Sequence, residues 1–244
     1  MMTKNGLPAC TPLMAGKDTE KSSGSDSLCL VPLLATDTTL VCFLLAIQVG
    51  SGKQTKRGCV TLFLDAAATT PVHPRVASRV VQLMTDEFGN AGSRTHEWGA
   101  RAKAVVVQAR DCLAHLLGVQ PEEVVFTSGA TEANNLAILG LSGEGIETGR
   151  KHIVSSATEH KAVLEPLEYL EHHHGFEVTL LHPDKTGRLA PEQVMESVRS
   201  DTLLVSLMLV NNEIGTIQNL KTVYEICSKF GAFLHCDAVP LSSF

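Results

Sequence analysis

Leu203-Leu204-Val205-Ser206-Leu207-Met208, followed by Val210-Asn211-Asn212-Glu213-Ile214-Gly215, is the stretch that decides the fold. Its first six residues are an almost unbroken apolar run, too short for a helix. A strand that is apolar on both faces is buried on both, the mark of a parallel sheet covered by helices. The polar turn then leads into residues 220–230, whose apolar positions recur at helical spacing. The same alternation runs outward from this point. Strands are expected at residues 61–64, 124–127, 152–155, 177–181, 203–208 and 232–236. Helices are expected at 74–88, 97–117, 131–141, 161–173, 191–199 and 220–230. The first opens with Pro74 and sets Val76, Val80, Leu83 and Met84 on one face, and the second ends at Gly118. The fold class is α/β, a mostly parallel sheet flanked by helices. In such sheets ligands bind at the carboxyl ends of the strands, so the loops leading into helices are where chemistry belongs.

Four of those loops carry suitable groups. Phe126-Thr127-Ser128-Gly129-Ala130-Thr131-Glu132 would present backbone N–H groups and hydroxyls at a helix N-terminus, a site suited to a phosphate. It is neither a dinucleotide fingerprint nor a P-loop, and an ordinary helix cap explains it equally well. Ala157-Thr158-Glu159-His160-Lys161 would project His160 from a strand end, able to exchange protons or lie over an aromatic ligand. The alternative is a helix start capped by Thr158 or Glu159. Asn211 and Asn212 offer amide donors, or simply favour the turn. Asp237, in His235-Cys236-Asp237-Ala238, would bring a carboxylate to the same edge, unless it only starts a loop. Together the four match pyridoxal phosphate, which has a phosphate, a ring face, a 3-oxygen and a ring nitrogen to hold.

Composition narrows the function classes. Of 244 residues, 44% are apolar and 19% charged, which excludes wholesale disorder. The net charge of −6 gives no basic surplus for nucleic acid. Residues 1–27 are rich in Lys, Ser, Gly, Thr and Asp, residues 28–49 are apolar but irregular and 50–58 are linker-like, so 1–60 read as a poorly ordered extension outside the fold. The apolar run of residues 40–47 is irregular and too short to span a bilayer. No Arg precedes Arg57, unlike a mitochondrial leader. The seven cysteines form no C-x-x-C pair, which disfavours a disulfide framework or a paired-cysteine zinc site and favours a reducing setting. His172, His173 and His174 read as the polar end of a helix, and no metal site is expected.

Residues 62–238 resemble the cysteine desulfurases of the NifS/IscS type, class V pyridoxal-phosphate enzymes of fold-type I. The resemblance is carried by Leu64-Asp65-Ala66-Ala67-Ala68-Thr69-Thr70-Pro71, Phe88-Gly89-Asn90-Ala91-Gly92-Ser93 and the four loops, the second of these running on through Ala162-Val163-Leu164. It implies that Ala130 and Thr131 bind the cofactor phosphate and that His160 stacks on the ring and moves protons. It also implies that Asn212 bonds the 3-oxygen and that Asp237 pairs with the ring nitrogen. Asn90 and Arg94 would help place the substrate. The implied activity is removal of sulfur from L-cysteine, giving L-alanine and an enzyme persulfide for a sulfur-acceptor protein of iron–sulfur or thio-modification pathways. A homodimer in the cytoplasm is implied, with no membrane and no nucleic-acid partner, and the mitochondrion stays open. Selenocysteine lyases and class V aminotransferases share these segments.

The family pattern continues with a glutamine three residues past the aspartate, where this sequence has Pro240. It then has a Ser-x-His-Lys segment whose lysine forms the Schiff base with the cofactor. A mobile-loop cysteine that takes the sulfur and a small C-terminal domain come after it. None of these is found in residues 1–244. Lys161 opens a helix beside His160, and Cys236 reads as a packed core thiol. The expectation is therefore an extension of residues 1–60 and a large domain of residues 61–244, incomplete at its C-terminus and inactive alone. A catalytically dead binding or regulatory protein on the same fold is the alternative.

Overall fold

A computed structural model of the chain describes residues 39–42, 69 and 71–239. The expected strand at 61–64 lies outside them. The described residues divide into two units, one of residues 87–125 and one holding the rest. The helices are α1 (Pro74–Thr85), α2 (Glu97–Leu117), α3 (Ala130–Gly140), α4 (Ser142–Thr148), α5 (Lys161–His174), α6 (Pro191–Ser197) and α7 (Leu220–Phe230). The strands are β1 (Thr39–Cys42), β2 (His152–Ser156), β3 (Glu177–Leu181), β4 (Thr202–Ser206) and β5 (Phe233–Asp237).

The smaller unit is built on α2, followed by a single 3-10 turn at Pro121–Glu123. His96 caps α2 by accepting from the Gly99 N–H at 3.1 Å, and Gly118 ends it at φ +71°. A left-handed residue there lets the chain leave the helix, a conformation glycine adopts without strain.

The larger unit carries the sheet, in the order β1-β5-β4-β2-β3 with every pair parallel. Register aligns Ile153 with Leu204 and Leu204 with Phe233, and the next row aligns Val154, Val205 and Leu234. Side chains alternate between faces along a strand, so these two rows face opposite ways. Ile153 and Leu204 pack with Ile138 of α3 and Val163, Leu167 and Leu170 of α5. Val154, Val205, Leu234 and Cys236 pack with Val194 of α6 and Val223, Ile226 and Cys227 of α7. Both faces are thus covered, as the apolar strands demand. Burial of this kind contributes about 1.5–3 kcal/mol per large aliphatic side chain. Cys236 is buried in this core, and burial pushes the Cys227 thiol up to about 12.

The structure departs from the sequence reading at four places. Residues 124–127 form no strand, and Val125 and Phe126 are exposed. Thr39–Cys42, inside the irregular apolar run, adds a strand at the β5 edge, where unpaired backbone groups await a partner. α4 is a helix that the sequence did not announce, its two glycines hiding it. In α1, Val76 and Leu83 are half-buried while Val80 and Met84 are exposed. The histidine run ends α5 as expected, with Tyr169 against His173 and His174 and a carboxylate, Glu168, 3.9 Å from His172. No described helix is long and apolar enough to cross a membrane.

Candidate functional site

A wholly parallel sheet puts all its strand C-termini on one edge. β5 delivers Asp237 there, only 3% exposed. Its two oxygens are each fixed by an N–H donor. Asn134 Nδ2 reaches Oδ2 at 2.9 Å from α3, and the Val239 backbone N–H reaches Oδ1 at 3.1 Å. Asn134 is fully buried and its own Oδ1 has no partner.

One turn before Asn134 lies the N-terminus of α3. Gly129 is extended there and makes no side-chain cap, and Ala130 and Thr131 begin the helix. The first N–H groups of a helix have no partner within it and carry the positive end of its dipole. Ser128 donates both its backbone N–H (2.6 Å) and its hydroxyl (2.5 Å) to Glu132 Oε2. Those two bonds hold the Glu132 carboxyl below its ordinary range. Anion-binding capacity is therefore left to the N–H groups around Ala130 and Thr131 and to the exposed Thr131 hydroxyl.

After β2, the chain turns through Ala157 and Thr158 into α5. His160 caps that helix: its Nδ1 accepts from the Ala162 N–H at 3.1 Å. Nδ1 being an acceptor, the neutral ring carries its proton on Nε2. The imidazole is exposed. Glu159 points the other way, is 8% exposed, and accepts from the Met208 N–H through Oε1 at 2.8 Å. Burial pushes its carboxyl up to about 8, opposed by the Met208 bond and helped by nearby Asp237.

After β4, Asn211 closes its own turn. Its Oδ1 accepts from the Glu213 and Ile214 N–H groups, and its Nδ2 donates to Thr158 O at 3.1 Å. Asn211 thus ties the Asn212 loop to the His160 turn, and Asn212 itself is exposed. Of the two asparagines, the first does the turn-making that such residues favour.

Direct bonds join Asn134 of α3 to Asp237 of β5, and Glu159 after β2 to the Met208 backbone after β4, two buried pairs coupled through the charge of Asp237. His160 and Asn212 sit on the loops after β2 and β4, and Ala130 and Thr131 open α3, which carries Asn134. Asn90 and Arg94 belong to the other unit. Asn134 and Glu159 are what sequence reasoning missed. Asn134 falls on the helical stripe beside an Asn135 of opposite fate, and Glu159 looked like a cap. Beneath the site runs a polar row aligned by register: Ser155, Ser206 and His235. Ser155 Oγ donates to Ser206 O at 2.9 Å, and Ser206 Oγ lies 2.8 Å from His235 Nδ1. Burial holds His235 down to about 4, with Asp237 pulling the other way.

Pyridoxal phosphate would need an anion site and a fixed carboxylate at one sheet edge. The α3 N-terminus and the doubly held Asp237, joined through Asn134, fit that need. Among the described residues there is no cluster of three or more metal-ligating side chains.

The chain is 49% identical over 180 residues to the cysteine desulfurase IscS of Aeromonas salmonicida, 73% of this chain and 44% of that relative. It therefore spans less than half the length of the curated relatives it matches. Among solved structures, DndA from Streptomyces lividans is 54% identical with a TM-score of 0.64, over 75% of this chain and 52% of that one. SspA in complex with cysteine is 35% identical with a TM-score of 0.69, over 75% and 55%. A family model covering residues 62–242, all four loops included, makes the chain a member of the aminotransferase class-V family.

Proposed function

We propose that these residues form the cofactor-cradling part of a pyridoxal-phosphate-dependent cysteine desulfurase. The observation that carries the reading is the Asn134–Asp237 bond, which ties the anion-binding helix end to the buried carboxylate. The desulfurase names of the relatives and the cysteine in the SspA structure support L-cysteine as substrate. The partners in this reading are a sulfur-acceptor protein and a second copy of the chain, in a reducing, cytoplasmic setting. Residues 61–244 belong to the large domain and 1–60 extend it, a division supported by a family match that begins at residue 62.

When bound, the cofactor supplies an electron-withdrawing ring that loosens the bonds at an amino acid's α-carbon. Ala130 and Thr131 would hold its phosphate with N–H groups and the helix dipole. Asp237 would keep a proton on the ring nitrogen, since a fixed negative charge favours the protonated form. Asn212 would donate its amide to the 3-oxygen. His160 would cover the ring face, and with Nδ1 engaged by Ala162 its Nε2 is the atom left to hold or pass a proton.

Equilibrium dialysis with pyridoxal 5′-phosphate tests the cradle. Asp237→Ala and Thr131→Ala are each expected to weaken retention at least about tenfold, the scale of one lost charge-assisted bond. Unchanged retention in both would overturn the reading. Alanine release from L-cysteine tests the activity.

A further inference from the structure

Two carboxyls are buried at the carboxyl edge of the sheet, and their surroundings differ. Asp237 receives two N–H donors, Asn134 Nδ2 and the Val239 backbone. Glu159 receives one, the Met208 N–H on Oε1, and its Oε2 is buried without a partner. Two buried like charges within Coulomb range cannot both persist cheaply, so the carboxyl with fewer hydrogen-bond donors takes the proton. We propose that Glu159 is a positioning residue that holds its own proton, a neutral carboxyl that fastens the His160 turn to the chain after β4 and leaves Asp237 to carry the charge. The proton belongs on Oε2, the oxygen with no donor, while Oε1 accepts from Met208 as a carbonyl oxygen.

The titratable and polar groups on the elements around Glu159 are consistent with this. From β5 come Asp237, which raises its affinity for a proton, and His235, which burial keeps neutral. From α3, Asn134 is uncharged and Glu132 is exposed; from its own turn and α5, His160 and Lys161 are exposed. No cation is among these that would ionise it. Its upward shift to about 8 agrees. The consequence for the cofactor rests on the functional reading above: one negative charge, at Asp237, would meet the ring nitrogen. The proton on Glu159 does not rest on it.

Urea unfolding of the chain without cofactor, as wild type and Glu159→Gln, tests the inference between pH 6.5 and 8. The folded carboxyl holds a proton that the unfolded one releases near 4.5, so wild-type stability falls as pH rises through this window. The wild-type unfolding constant is expected to rise on the order of tenfold relative to Glu159→Gln. Gln keeps an acceptor for Met208, so a purely structural role predicts parallel curves, and parallel curves would overturn the proposal. Should Glu159→Gln fail to fold, the carbon-13 carboxyl titration of the wild type decides. A midpoint near 8 supports the proposal, and one in the ordinary glutamate range overturns it. A chain that takes up no pyridoxal phosphate would sink the functional reading and leave this profile standing.

Discussion

Asn134 donates to Asp237 across 103 positions of sequence, from a fully buried place on α3. Asn134→Ala leaves one Asp237 oxygen without its donor and is expected to cost about 1–3 kcal/mol in urea unfolding. Asn134→Asp sets a second carboxylate against the first and should destabilise more, with the loss relieved as pH falls. His235 has the opposite pH signature to Glu159. Its folded pKa, about 4, lies below the unfolded value of 6.5. The stability it contributes is therefore complete above pH 6.5 and lost as pH falls towards 4. Acid unfolding curves of wild type and His235→Gln should converge as that window is crossed, the variant being the flatter. The sequence made Asp237 legible because a carboxylate at a strand end is a recognisable placement. Asn134 and Glu159 were not legible, since their roles depend on partners that only folding supplies.

At the level of elements, two glycines separate backbone from packing effects. Gly118 ends α2 in the left-handed region with open space around it. Gly118→Ala should cost about 1 kcal/mol, from conformation alone. Gly145 lies inside α4, where an added Cβ would come within 2.8 Å of Arg150 O, Leu203 Cδ2 and Phe176 Cζ. Gly145→Ala gains helix propensity yet should still lose about 1–3 kcal/mol through overpacking. Thermal denaturation of both variants checks the order. This close approach explains why α4 was invisible: its reason for being helical is the neighbour it packs on. The long elements were legible. α2 and α7 match the expected spans, because caps such as His96 and Asn219 and an apolar stripe are local signals. Residues 124–127 show the reverse case, strand-like in composition but not a strand in the fold.

Across the larger unit, α1 has a helical apolar pattern and no buried residue. Val81 and Met84 are 58% and 73% exposed. Such a face favours self-association. Val81→Lys with Met84→Lys should raise the monomer fraction in light scattering while changing stability by no more than about 0.5 kcal/mol. The larger unit also has a polar end opposite the site. Arg150 there donates to Gly231 O at 2.7 Å and to the Thr202 carbonyl, and Arg199 grips Glu177 through both carboxylate oxygens. These contacts fix the strands' N-termini, so the site is built at one end of a sheet held at the other.

By itself the sequence determined the α/β class, the helices with local caps and the loops that carry Ala130, Thr131, His160, Asn212 and Asp237. Apolar periodicity and turn chemistry act between near neighbours, and these can be read in order along the chain. Only the tertiary structure decided which carboxyl is doubly held, which lacks a donor, and which serine lies beside which histidine. Those facts depend on strand register and on burial, which arise when residues far apart in sequence exclude water together.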